Sequence, residues 1–305
     1  MSVGDRCTIE INDQQVIDGF IEEMPVSYDD SDHIVNIIGR DNTGDLVDCQ
    51  HDAADSEWKG LTVSRLIQRL CDPFSIAVVV DAGAVNAASE VVETFVANNF
   101  ETIAQMIGRL ARDYGLIVIS RGDGKLTLTS ISDSRPTVDD VVAGFNVSNV
   151  TQHSSNQNRF SSYKIKGVGL STDNKSIEDW VSPSGQFSDE KIERFRPMVS
   201  FSETVTNSAL AKRKAQYEGR MRAGFSRRLE YNFFDSIQSN GAIWEFHSKT
   251  NVVDDRFDLN DEKIIVELDY LFDEEQAFTT RGTLVDPDTF DISSSPIITD
   301  GVMDG

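Results

Sequence analysis

Residues 62–80 read TVSRLIQRLCDPFSIAVVV, and forty positions later residues 102–120 read TIAQMIGRLARDYGLIVIS. In the first segment Val63, Leu66, Ile67 and Leu70 recur at i, i+3, i+4 and i+7, which sets four apolar side chains on one helical face. Phe74 and a β-branched run to Val80 follow, and these read as a strand. The second segment repeats the layout with Ile103, Met106, Ile107 and Leu110, then Tyr114 and Val118. Aligned without a gap, the two share five of nineteen residues: Thr62 with Thr102, Ile67 with Ile107, Arg69 with Arg109, Leu70 with Leu110 and Val78 with Val118. Helix, aromatic and strand occurring twice in one order point to an internal duplication. Thr102 and Gln105 have the spacing of a capping box. VISRGDGKLTLTS then reads as a hairpin around Asp123-Gly124. Residues 53–135 are expected to form a small α/β domain inserted into a β protein.

The flanks supply the β character. RCTIEI alternates Cys7, Ile9 and Ile11 against Thr8 and Glu10, Asn12-Asp13 offers a turn, and Val16 to Ile21 carries a second strand. SYDDSD reads as a polar loop and HIVNIIG as a third strand, so residues 1–52 predict a meander of a barrel or sandwich. From 136 to 290 strands return in SYKIKGVG, RRLEYNFF, AIWEFH and EKIIVELDYLF. In the last, Ile264, Val266, Leu268 and Tyr270 are expected on one face. A polar stretch (171–200) and one helix, about 207–223, lie between, the helix stopping at Gly224 as a C′ glycine would. Residues 291–305 read as a tail. The fold class is mainly β with an α/β insertion.

Charge narrows the function. The chain has 305 residues and 28 Lys plus Arg against 51 Asp plus Glu, a formal charge of −23. Such a surface repels phosphate, so gripping nucleic acid is disfavoured. Three cysteines without metal spacing fit a reducing compartment. The N-terminus has no apolar h-region and no window has 18 consecutive apolar residues, so neither a signal peptide nor a membrane span is expected, and synthesis in a cytoplasm is.

Catalytic signatures are thin. GRDNTGDLVDC (39–49) gathers Asp41, Asp45 and Asp48, but a calcium loop needs Gly where Leu46 stands. The expected reading is a strand-ending turn with Asp41 capping backbone N–H groups. His33, His51, His153 and His247 are scattered, and no nucleophile elbow, phosphate loop or zinc motif occurs. No catalytic, cofactor or metal residue is assigned. The RGD at 121–123 reads as turn chemistry. The densest charge feature is AKRKAQYEGRMRAGFSRR (211–228), with seven of the 28 basic residues in seventeen positions. Leu210, Tyr217 and Met221 give this helix a narrow apolar seam. It is expected to show its other sides, with Lys212, Arg213, Lys214, Arg220 and Arg222 as candidate subunit-interface residues.

The order of these motifs resembles the baseplate hub proteins of Mu-type contractile phage tails. The resemblance is carried by GFIEEMPVSYDDSDHIVNIIGRDNTGDLVDC (19–49), WKGLTVSRLIQRLCDPFSIAVVV (58–80) and RAGFSRRLEYNFF (222–234), with GTLVDPDTF (282–290) similar to the family's closing strand. It implies a homotrimer with two barrel-like tube domains per chain, joining a six-fold tail tube or tube-initiator protein to a trimeric spike. Neighbouring baseplate proteins are the other implied partners, and DNA passes through the channel without specific binding. Its place would be the virion tail baseplate. The family usually has further strands before VGDRCTIEIND, so the first barrel is expected to be reduced or completed by another chain. The competing classes are a soluble hydrolase-type enzyme with an acidic site and a surface adhesin.

Overall fold

A computed structural model describes residues 1–28, 33–52, 56–167, 183–202, 205, 207–273 and 277–290. The backbone divides into two compact units, one of residues 1–111 and 116–129, the other of residues 112–115 and from 130 onward.

The first unit opens with β1 (Arg6–Ile11) and β2 (Gln14–Glu23), antiparallel about Asn12 and Asp13. Both turn residues have left-handed backbones, φ 51° and 61°, the geometry that suits strand twist and that Asn and Asp tolerate. β3 (Val26–Tyr28) and β4 (His33–Val35) form a separate ribbon, while β5 (Ile38–Asp41) pairs with β2. HIVNIIG is therefore two strands in two sheets. Asn36 donates its N–H to the Pro25 carbonyl (3.0 Å) and closes the ribbon, and the chain then restarts beside β2. Most of the polar loop SYDDSD lies outside the described residues. The β1-β2-β5 sheet is open at both edges, and among the described residues no sheet closes into a barrel.

The two aligned segments fold with matched caps and turns. α1 (Val63–Cys71) is capped by Thr62, which accepts from the Arg65 N–H at 3.3 Å, and α2 (Ile103–Tyr114) by Thr102, which accepts from the Gln105 N–H at 3.3 Å. The Gln105 side chain returns a bond from the Thr102 N–H, completing the box. At aligned positions Ser75 (φ 57°) and Gly115 (φ 68°) turn left-handed. The next residues, Ile76 and Leu116, donate back to Cys71 and Ala111 and bury their side chains. β6 (Val78–Val80) and β7 (Ile117–Ser120) then flank β8 (Leu126–Thr129), parallel and antiparallel respectively. The connection from β7 to β8 is a five-residue loop, with Gly122 and Gly124 both at positive φ, rather than a two-residue turn.

In the second unit the strands are β9 (Arg135–Pro136), β10 (Val141–Val142), β11 (Val147–Ser154), β12 (Ser162–Gly167), β13 (Ser184–Ser188) and β14 (Pro197–Ser202). Helix α3 (Ser208–Phe225) leads to β15 (Arg227–Phe233), β16 (Ser248–Asp254), β17 (Leu259–Asp273) and β18 (Ala277–Val285). The large sheet runs β9-β16-β17-β18-β15-β11, with β10 also on β16, and the small sheet runs β13-β12-β14. Leu229, Tyr231, Phe233, Trp244, Val252, Ile265 and Leu284 form the large sheet's core.

Four expectations in this unit are corrected. The polar stretch 171–200 holds β13 and most of β14, while 171–182 lies outside the described residues. AIWEFH is not a strand: Gln238 holds the Ile243 carbonyl (2.9 Å) and His247 is left-handed at φ 63°. In β17 a bulge shifts the register between Ile265 and Glu267, so Ile265 and Leu268, not Ile264 and Leu268, share the core face. Finally, Gly224 lies inside α3. An ideal Cβ there would sit 1.9 Å from Thr289 Oγ1, so the glycine lets the helix approach the 3₁₀ turn Pro287–Phe290. The helix ends at Phe225, with right-handed Ser226 as its C-cap.

Candidate interaction surface

Asn207 starts α3 by accepting from the Leu210 N–H at 2.9 Å. The helix lies against β12 and β13, where Tyr163, Ile165, Leu210, Ala211 and Ala215 form a second core with Phe187 against it. It is buried on far more than a seam. Lys214 is 9% exposed and Arg220 2%. Lys214 Nζ reaches Asp113 at 2.5 Å and the Ser202 hydroxyl at 2.8 Å. Arg222 pairs with Glu218 one turn back, donates to the Asn158 carbonyl and sits over Phe160. Of the five basic residues expected at a subunit contact, Lys214 and Arg220 are thus interior to this chain. Lys212 is exposed, and Arg213 and Arg222 are half-buried.

A second buried charge pair braces the same region. Arg159 binds Asp189 in bidentate fashion (2.5 and 3.0 Å) with both side chains nearly inaccessible. Asp189 also accepts the Lys191 N–H. These cations hold the unit together from within.

The carboxylates of the first unit are likewise structural. Asp41 Oδ1 accepts the Thr43 N–H (2.9 Å), the Thr43 hydroxyl (2.7 Å) and the Ser120 hydroxyl (3.1 Å), capping the turn Asn42–Gly44. Asp48 pairs with Arg40, which also holds Glu22, and the pairing keeps Asp48 below the usual carboxylate range. In the RGD loop Arg121 pairs with Asp81, Asp123 caps the Lys125 N–H, and the Gly122 carbonyl accepts from Gln15. Among the described residues no group of His, Cys, Asp or Glu could hold a metal ion.

One hollow carries a titratable group. Val142, Gly144, Val253, Asp254 and Arg256 line it. Asp254 is held below its ordinary range, first by hydrogen bonds from Arg256 (2.8 and 2.7 Å), with Tyr231 adding another (3.2 Å). A general acid needs the opposite shift. This carboxylate is a fixed anion.

Some exposed strands are apolar. Every residue of β3 and β4 is exposed, among them Val26, Tyr28, Ile34 and Val35. Sequence alternation alone could not reveal this, because a half-buried strand and an uncovered one have the same period. A two-stranded ribbon is marginal by itself, and exposed apolar strands mark protein contacts. Among the described residues the chain thus combines open sheets, uncovered apolar strands and several basic side chains paired in its interior.

The comparisons with known proteins agree. A family model described as "Mu phage baseplate assembly protein GpP-like, N-terminal" matches residues 1–41, and one described as "Baseplate hub protein gp44-like, second domain" matches residues 43–130. Baseplate hub protein gp44 of Escherichia phage Mu is 25% identical over 248 residues, 80% of this chain. The chain covers 65% of that relative's length, short of the whole. Among solved structures, the 43 kDa tail protein of prophage MuSo2 from Shewanella oneidensis superposes with a TM-score of 0.82 at 26% identity, over 95% of this chain and 85% of the other. A tail protein from Neisseria meningitidis matches with a TM-score of 0.79 at 21% identity, over 94% and 86%. Residues 1–41 and 43–130 thus match two domains of Mu-type baseplate proteins, and the fold over 95% of the chain is that of a Mu-type prophage tail protein.

Proposed function

We propose that the chain is the hub subunit of a contractile tail's baseplate, working as a homotrimer at the virion's distal end. In this reading the first β region (1–52) and the second (136–290) supply two tube-type domains per chain, and three copies give six similar positions. The ring joins a six-fold tube or its initiator to a three-fold spike, beside other baseplate proteins. In sequence the α/β segment 53–135 separates the two. The observation that carries the reading is the run of hub-type matches from residue 1 to 130, together with a tail-protein fold over 95% of the chain. Open sheets and an uncovered ribbon support it, since a barrel assembled from several chains leaves open edges in each. The acidity has a use here: a wall without cations gives passing DNA no counterion-releasing contacts. Native mass spectrometry of the chain mixed with its tube and spike proteins tests the reading. Three copies per spike trimer are expected, and a chain that binds neither protein refutes it.

A further inference from the structure

The sheet β13-β12-β14 has one face on α3 and the other open. Its registers place Ser188, Ser162 and Pro197 in one outward row, Gln186, Lys164 and Val199 in the next, and Ser184, Lys166 and Phe201 in the third. These nine residues include two lysines and no carboxylate, in a chain of net charge −23. Pro197, Val199 and Phe201 form an apolar column along β14, an edge strand, with Val199 59% and Phe201 61% exposed. Lys164 and Lys166 are exposed beside them.

Two copies at −23 each repel, and a contact that sets a cationic face of one against carboxylates of the other relieves that repulsion. We propose that this open face is a docking surface for the acidic surface of a second copy of the chain, with Lys164 and Lys166 meeting carboxylates and Val199 and Phe201 supplying apolar area. A two-fold contact of the face with itself would bring four lysines to one interface without a carboxylate from the face to pair them. In the proposed contact the face meets a different surface of the next copy, head-to-tail, a kind that closes into a ring or continues as a filament. The inference rests on the hub reading, which needs a ring, and specifies which face closes it.

The test uses full-length protein, with copies mixed from normal and isotope-labelled preparations. Mass is read by light scattering across a concentration series, and Lys-to-carboxylate contacts by zero-length carbodiimide cross-linking. K164E/K166E should weaken association roughly 100-fold, the scale of like charges set opposite each other, while K164R/K166R associates normally. Circular dichroism should be unchanged in both, since these side chains lie on the surface. Cross-links from Lys164 or Lys166 should join labelled to unlabelled copies. If the wild type forms a three-copy ring that K164E/K166E leaves intact, this inference is overturned and the hub reading stands. If cross-links at this face persist in an assembly of another order, the docking face stands and the trimer falls. A wild-type monomer without intermolecular cross-links overturns the docking face.

Discussion

Replacing Gly224 with alanine sets two effects of known size against each other. In a helix interior alanine is favoured over glycine by about 1 kcal/mol, and Gly224 has helical neighbours on both sides. The added Cβ would, however, lie 1.9 Å from Thr289 Oγ1, 2.5 Å from its Cγ2 and 2.6 Å from its Cβ. These are far inside the ~3.5–4.0 Å optimum for non-bonded atoms. Thr289 is buried, and Phe290 beside it packs edge-on against Phe225 at 6.3 Å, so the 3₁₀ turn cannot swing aside freely. Overpacking of this kind costs about 1–3 kcal/mol, leaving a net loss of about 0–2 kcal/mol. Urea unfolding followed by far-UV circular dichroism and tryptophan fluorescence reads the change as a lowered midpoint. Changing Thr289 to glycine as well removes all three clashing atoms, so the double variant should recover part of the loss. A G224A protein more stable by about 1 kcal/mol would refute the packing argument and return Gly224 to the role of an incidental helix residue.

Three further outcomes follow from the buried groups. Asp189→Ala should cost about 3–5 kcal/mol by stranding Arg159, whereas replacing both with apolar residues of similar volume should be nearly neutral; urea midpoints of the two variants separate these cases. Asp254 is depressed in the folded state, so its contribution to stability is present above the unfolded carboxylate pKa of about 4 and is lost as pH falls through the lower folded value. A wild-type acid-unfolding curve that is steeper than that of Asp254→Asn between those limits is expected, and parallel curves would contradict it. The Cys71 thiol is fully buried and pushed up to about 12 by burial, while Cys49 is exposed. A thiol reagent at mild alkaline pH should therefore label Cys49 in the native protein and reach Cys71 only on unfolding, as peptide mapping would show.

Where the deciding physics was local, the sequence could be read directly. Helical spacing, the Thr62 and Thr102 caps and the aligned turn after each helix are all fixed within a few residues, so both helix-strand segments were legible. Asp41 was likewise readable as a cap, because an Asx residue before a Thr-Gly turn bonds its own neighbours. Tertiary contacts decided the rest. Gly224 has the composition of a helix stop but answers to Thr289, which is distant in sequence. Lys214 and Arg220 belong to a basic run that composition assigns to solvent, yet α3 packs within its own unit and buries them. The bulge after Ile265 leaves no mark on composition, so a strict period of two chose the wrong isoleucine. β13 was missed because its exposed face is serine and glutamine and its inner face holds a glycine. Of the five basic residues Lys212 alone is fully exposed, whereas the ribbon and the outer face of the small sheet are uncovered.

The central claim, that three of these chains form the ring between tail tube and spike, is tested most directly by electron cryo-microscopy of the isolated chain with its spike protein. The account predicts a three-fold ring around an open channel, with two similar β domains per subunit alternating about the axis. A ring of any other order, or a single copy seated on the side of the spike, would contradict it.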